Sequence, residues 1–281
     1  MSDSKIIWVT GAKGFVGSEL SARFAEHGYQ VVGTDTELSV AETERMEAFV
    51  SEVQPLAVVN CAGIRRDATG LSNRIKAYEV NALGARNVAL AANSCGAIMV
   101  QISSDDVYSS KLEEPVNEFD NPHPDTPYGK SKRAGEAMVR DTMHEHIIVR
   151  SSWLYHSSSG RMREILDAAA QGRRIEVRAD QFAAPTSIAT YADFLVKAIE
   201  NRAFGTFHIT TRGRASRYDF AAKVLEYAGY EPSKVLVPVE DPKTSENVVL
   251  ESLMLEMFGA ELPSWEEDLL SYMRSVGIAK E

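Results

Sequence analysis

The chain has 281 residues, 30 of them Lys or Arg and 40 Asp or Glu, for a formal net charge of −10. That length suits one large α/β domain, or a large and a small one, with a sizeable core. The acidic balance repels polyphosphate backbones and excludes nucleic acid as a partner, because the basic clusters Lys130 to Arg133, Arg173-Arg174 and Arg212 to Arg217 are short, scattered and read as solvated faces.

Lys5-Ile-Ile-Trp-Val-Thr10 is an apolar, β-branched run of the kind that forms a strand buried on both faces of a parallel sheet. Gly11-Ala12-Lys13-Gly14-Phe15-Val16-Gly17 follows and opens into Ser18 to Ala25, whose apolar residues recur at helical spacing. Strand, glycine-rich turn and helix form the context of a dinucleotide-binding loop. Gly11 and Gly14 permit a tight turn and close approach of a pyrophosphate to backbone N–H groups, and Gly17 permits close helix packing. The spacing is G-x-x-G-x-x-G, one residue longer in the first gap than the general fingerprint. A second strand, Gln30 to Thr34, ends at Asp35, placed to hydrogen-bond the adenosine ribose hydroxyls. Thr36 and Glu37 follow in place of an arginine, so a 2′-phosphate would meet like charge, and NAD(H) is favoured over NADP(H). Lys13 is the one loop residue suited to that phosphate.

Leu56 to Asn60 is the third strand, and the small residues Cys61-Ala62-Gly63 after it let a cofactor lie across the strand end. Amphipathic segments flank it, Val40 to Val53 and Arg74 to Cys95. Asn81 sits inside the second, where its amide competes with the backbone for hydrogen bonds; it either caps a local kink or orders a water. Ala97 to Ile102 is the fourth strand. It runs into Ser104, Asp105 and Asp106 at the carboxyl edge, where ligands bind in open α/β sheets and a hydroxyl can hydrogen-bond a substrate carbonyl.

A proline-rich loop from Glu114 to Pro127 leads into Tyr128-Gly-Lys-Ser-Lys132 at a helix start. Tyr128 and Lys132 are four apart and share one helical face. An unperturbed phenol has a pKa of about 10, and a neighbouring cation favours the phenolate, so the pair can pass a proton to or from a carbonyl oxygen. Ile147 to Arg150 is a further strand. Alternating strand and helix over residues 1–150 predicts a doubly wound parallel (Rossmann) sheet forming a dinucleotide-binding domain.

Beyond Arg150 the pattern is less regular. Helices are expected from Arg161 to Gln171 and Tyr191 to Glu200, strands at Arg174 to Val177 and Gly205 to Thr210, and a loop at Asp180 to Thr186. Ser216 is a candidate N-cap for a helix to Ala228, and Ser264 for a last helix. Residues 151–281 are expected to form mainly a smaller substrate-binding lobe, with some segments returning to the large domain. Cys61 and Cys95 have no partner at metal-ligand or redox spacing and read as reduced core thiols. The six histidines show no paired ligand spacing beyond His144-x-His146, and nothing in the sequence asks for a metal. The N-terminus runs straight into the first strand, without a secretory h-region or a long apolar run, so a cytoplasmic protein without membrane contact is expected.

These stretches together resemble the extended short-chain dehydrogenase/reductases, and within them the dTDP-4-dehydrorhamnose reductase family. Thr10 to Gly17 is similar to the cofactor loop, Val80-Asn81 to the helix asparagine, Ile102 to Tyr108 to the reductases' I-S-T-D-Y-V-F, and Pro127 to Lys132 to the active-site helix. Val149 to Tyr155, Asp180-Gln181 with Pro185-Thr186, Gly205 to His208 and Leu262 to Glu267 resemble these reductases more specifically. The resemblance implies that Ser104 donates a hydrogen bond to the carbonyl and Tyr128 donates the proton. It implies that Lys132 depresses the pKa of Tyr128 and holds the nicotinamide ribose, and that Trp153 lies against the sugar. The implied reaction is hydride transfer to the C4 ketone of a deoxysugar nucleotide, and the implied assembly is a homodimer. Asp106 stands where the reductases usually carry tyrosine, Ser109-Ser110 replaces Asp-Gly, and Ile64 to Asp67 lacks the usual Tyr-Thr-x-Val-Asp run, so the sugar is left open. Ser104 to Tyr108 also resembles the T-D-E-V-Y of sugar-nucleotide 4,6-dehydratases and epimerases. A third alternative is a non-catalytic subunit like the beta subunit of methionine adenosyltransferase, although binding alone does not require Ser104, Tyr128 and Lys132.

Overall fold

The structure, a computed structural model, describes residues 5–64 and 71–280. In chain order the first elements are β1 (Ile6–Thr10), α1 (Phe15–Glu26), β2 (Gln30–Thr34), α2 (Thr43–Val53), β3 (Ala57–Asn60), α3 (Leu71–Tyr78), α4 (Ala85–Cys95), β4 (Ile98–Ile102), α5 (Pro127–Thr142) and β5 (His146–Arg150). Next come β6 (Leu154–Tyr155), α6 (Gly160–Ala170), β7 (Ile175–Arg178), β8 (Gln181–Ala183), β9 (Thr186–Ser187), α7 (Ile188–Glu200) and β10 (Gly205–His208). The last are β11 (Ala215–Ser216), α8 (Arg217–Tyr227), α9 (Pro232–Val235), β12 (Leu236–Val239), β13 (Glu246–Asn247), α10 (Leu253–Met257) and α11 (Trp265–Ser275).

The chain divides into two compact units. The first comprises Met1–Ser109, Asn121–Arg150 and Ala192–Phe207, and the second Ser110–Asp120, Ser151–Tyr191 and His208–Glu281.

The first unit is built on a six-stranded sheet ordered β10-β5-β4-β3-β1-β2. β1 pairs in parallel with β2 and β3, β3 with β4, and β4 with β5. Every residue of β3 and β4 is buried, which explains their continuous apolar runs: helices cover both faces, so alternation has no purpose. Ala85, Ala89, Ala91 and Ala92 of α4 are buried with Val58, Val88 and Met99, and their small side chains let the helix lie close to the strands. The strand order reverses between β1 and β3, which puts a ligand crevice outside their carboxyl ends. The expected helical run from Arg74 to Cys95 is interrupted by a π-helical stretch, Glu79–Gly84, centred on Asn81. π-bulges of this kind are common at functional sites.

The second unit holds the three-stranded sheet β11-β8-β13 and the pairs β12-β7 and β6-β9. Its core joins Met162 and Ile165 of α6, Phe220 and Val224 of α8, and Trp265, Leu269 and Met273 of α11. Ser216 and Ser264 form full capping boxes with Asp219 and Glu267, as the sequence indicates. The expected loop from Asp180 to Thr186 is corrected: it contains β8 and part of β9. These strands are two or three residues long and exist through pairing with β11, β13 and β6, partners no local pattern reveals. Among the described residues no helix is long and apolar enough to cross a membrane.

Candidate active site

Gly11 has φ of 62°, in the left-handed region that strains other residues. A Cβ on Gly11 would lie 2.7 Å from the Ala62 nitrogen, and one on Gly17 would lie 2.2 Å from the Gly11 carbonyl oxygen. The turn is therefore pressed against Cys61-Ala62 on one side and the start of α1 on the other. Gly14 is the N-cap of α1, with Phe15 and Val16 opening the helix, and no side chain caps that end. The first-turn N–H groups and the helix dipole thus present positive charge, as a phosphate requires. Asp35 lies just past β2; its carboxylate accepts from the Lys13 N–H at 3.1 Å, while Glu37 accepts from the Lys13 ammonium at 3.0 Å.

Thr126 caps α5 by accepting from the Gly129 N–H at 2.9 Å, and Pro127 occupies its first turn. Two glycines bring this helix close to its neighbours. A Cβ on Gly129 would lie 1.8 Å from the Asp106 carbonyl oxygen, and one on Gly135 would lie 2.1 Å from that of Asn81. The N-terminus of α5, with Tyr128 half-buried in its first turn, is thereby packed on the turn Ser104-Asp105-Asp106. Ser104 Oγ lies 2.9 Å from Asp105 Oδ1 and 3.1 Å from Asp106 Oδ2, and accepts from the Asp106 N–H at 3.2 Å. One turn along α5, the buried Lys132 donates to the Ile102 carbonyl at 2.5 Å. Burial pulls its pKa down to about 8, against the pull of Glu136. The Ser104 turn and the helix start that carries Tyr128 and Lys132, expected as two motifs, are thus packed together where β4 ends and α5 begins.

Asn81 bonds outside its own helix: its Oδ1 accepts from the Ile64 N–H at 2.8 Å and its Nδ2 donates to the Ile64 carbonyl and to Ser131 Oγ. Ser131 in turn donates to the Tyr128 carbonyl at 2.7 Å. The asparagine therefore ties the chain after β3 to the Tyr128 turn. Of the segment Ile64 to Asp67, residues 65–67 lie outside the described residues.

Sequence reasoning missed the buried polar groups beneath this site. Thr10 donates to Asn60 at 2.6 Å, Asn60 to Gln101 at 2.8 Å, and Gln101 to the same Ile102 carbonyl that accepts from Lys132. Ser103, Glu136 and Arg150 form a second buried cluster beside it. The available signal was a polar residue at a strand position flanked by apolar ones, as with Gln101 between Val100 and Ile102.

Trp153 belongs to the second unit and has φ of 32°, a left-handed conformation that is a strained outlier for a bulky residue. The Arg217 guanidinium lies over its ring, 4.0 Å from the centroid, and donates to Gln181. The reading of Arg212 to Arg217 as a solvated face is thus corrected for Arg217, which is half-buried on an aromatic ring, while Arg212 and Arg214 are exposed, the latter over the Phe182 ring. In the basic cluster at the start of α5, Lys132 is buried too.

Fold and site together define a member of the extended short-chain dehydrogenase/reductases, a class of oxidoreductases. The chain belongs to the RmlD substrate binding domain family, that of the dTDP-4-dehydrorhamnose reductases, whose model matches residues 5–277. It is 32% identical to the spore coat polysaccharide biosynthesis protein SpsK of Bacillus subtilis, over 95% of this chain and 96% of that one. It is 29% identical to a dTDP-4-dehydrorhamnose reductase of Burkholderia thailandensis, over 92% and 95%. The crystal structure of the Bacillus anthracis dTDP-4-dehydrorhamnose reductase in complex with NADP matches with a TM-score of 0.88 at 30% identity, covering 97% of this chain and 99% of that one.

Proposed function

We propose that this protein reduces the C4 ketone of a 4-keto-6-deoxysugar nucleotide, using a nicotinamide dinucleotide. The observation that supports the reading is the packing of the start of α5, which carries Tyr128 and the buried Lys132, on the Ser104 turn at one strand end. The uncapped N-terminus of α1 and the close turn at Gly11 fit a dinucleotide pyrophosphate. Gly11, Lys13, Gly14, Phe15 and Val16 would hold it, with Asp35 on the ribose and Cys61, Ala62 and Gly63 beneath. A bound reduced nicotinamide supplies the hydride. Tyr128 protonates the alkoxide oxygen as it forms, a task for a positioned acid with a tuned pKa. Ser104 turns its hydroxyl from the neighbouring carboxylates to that oxygen, and Lys132 favours the phenolate left on Tyr128. Asp105 and Asp106 contact the sugar.

NAD(H) is the preferred cofactor, because Asp35 and Glu37 crowd the ribose end with negative charge and Glu37 already holds the Lys13 ammonium. The acidic pair beside Ser104 favours a second reading, elimination of water from a nucleotide sugar. Incubation with a dTDP-4-keto-6-deoxysugar separates the two: NADH is consumed if the protein is a reductase. Loss of water from dTDP-glucose without added NADH would mark it as a dehydratase.

A further inference from the structure

Glu136 is fully buried and lies four residues past Lys132, on the same face of α5. A buried carboxylate is costly unless it is paired and hydrogen-bonded. Arg150 of β5 donates to it through Nε at 2.9 Å and Nη2 at 2.8 Å, and the Ser103 hydroxyl donates at 2.7 Å. Arg140 and Arg133 approach to 3.4 and 3.7 Å from the same helix. Arg150 also donates to the Tyr108 hydroxyl at 2.7 Å. Burial pushes the Glu136 carboxyl up, but the hydrogen bonds and charge of Arg150, the Ser103 hydroxyl and Arg140 more than reverse this and hold it ionised.

This cluster is joined to the catalytic end of α5 in two ways. Ser103 sits between Ile102, whose carbonyl accepts from Lys132, and Ser104. The second link is charge. The groups that act on Lys132 are Cys61 just past β3, the Ile102 carbonyl of β4, and Glu136 from its own helix, on which Tyr128 lies one turn before the lysine. Burial pushes the Cys61 thiol up to about 12, so it is uncharged wherever Lys132 titrates. Among the described residues that leaves Glu136 as the carboxylate whose charge favours the ammonium.

We propose that Glu136 is a positioning residue for the reaction: it supplies the counter-charge that keeps Lys132 an ammonium in its buried site, and through Ser103 it fixes the strand end carrying the Ile102 carbonyl and Ser104. The proposal rests on the reading of Lys132 as the cation that serves Tyr128. Without the carboxylate, the buried lysine loses the charge that favours its ammonium and its proton leaves at lower pH.

The test compares Glu136→Gln, Glu136→Asp and Ser103→Ala. Glu136→Gln keeps the volume and an acceptor for Ser103 and Arg150. It should move the basic limb of the kcat/KM profile toward acid by about one pH unit, a tenfold change in the proton's dissociation constant. The KM for the dinucleotide should change far less. Glu136→Asp should restore most of the limb's position, and Ser103→Ala should lower kcat without moving it. The Cε resonance of Lys132, assigned by its loss in Lys132→Arg, titrates independently of turnover and should follow the limb in each variant. Should Glu136→Gln fail to fold, a Glu136→Asp midpoint slightly below wild type decides, since the shorter side chain withdraws the charge. Unmoved midpoints in folded variants would overturn the proposal. A wild-type protein that reduces no ketosugar nucleotide would instead defeat the reaction reading and leave the lysine titration standing.

Discussion

Lys13 Nζ stands 3.0 Å from the Glu37 carboxylate, while the Lys13 N–H donates to Asp35 at 3.1 Å. Both partners of the outer pair are more than half exposed, so solvent screens the bridge and it contributes little to stability. Its consequence is for cofactor choice: in the proposed binding mode two carboxylates would border the adenosine ribose, and the local cation is engaged. Steady-state kinetics should give NADH a kcat/KM about tenfold above NADPH, a difference of about 1.4 kcal/mol. Glu37→Gln should narrow that ratio by freeing Lys13. A wild-type preference for NADPH would refute the electrostatic argument.

Asn81 is buried and bonds both backbone groups of Ile64 as well as Ser131. Asn81→Ala strands these partners, so urea unfolding should show a loss of about 2–4 kcal/mol. Activity should fall further than stability, because the same amide ties Ser131, and through it the Tyr128 turn, to the chain after β3. An unchanged midpoint would mean that the π-helical stretch holds its shape without this side chain.

Gly129 and Gly135 have no room for a methyl group, since their Cβ atoms would lie 1.8 and 2.1 Å from backbone oxygens. Backbone cannot step aside as a flexible side chain can. Gly129→Ala should push the first turn of α5 off the Ser104 turn and remove most of kcat, and Gly135→Ala should destabilise by at least about 1–3 kcal/mol. Thermal melts and initial rates measure the two effects separately.

What the sequence revealed divides along a physical line. The strands of the large sheet were legible because burial on both faces writes an unbroken apolar run, as in Ala57–Asn60 and Ile98–Ile102. The helix starts at Ser216 and Ser264 were legible because a capping box is local chemistry. β8 and β9 were not, because their pairing partners lie far along the chain. The motif residues Ser104, Tyr128 and Lys132 could be named from spacing and resemblance. Glu136 and Arg150 could not, because a charged residue in a helix or strand reads as solvent-facing until tertiary packing buries it. Arg217 escaped for the same reason, its guanidinium lying on Trp153 instead of in water.

The buried Lys132 sets a pH dependence. Its pKa falls to about 8 in the folded protein, below the 10.5 of a free lysine, so the unfolded chain binds more protons between these values. Folding stability attributable to this group should therefore rise as pH climbs through that window, while activity, which needs the ammonium, falls above about pH 8. Lys132→Met should abolish turnover yet raise stability near neutral pH by up to about 3 kcal/mol, the value of a shift of this size. Denaturant titrations of both proteins at neutral and alkaline pH check the sign: the gap should close as pH rises.

The most direct test is a single-turnover reaction of wild-type and Tyr128→Phe protein with C4-deuterated NADH and a dTDP-4-keto-6-deoxysugar, read by mass spectrometry of the sugar. The wild type should deliver the deuterium to C4 of the product, and the variant, lacking the positioned acid, should do so at least about 100-fold more slowly. Label absent from the wild-type product, or equal rates in the two proteins, would contradict the account.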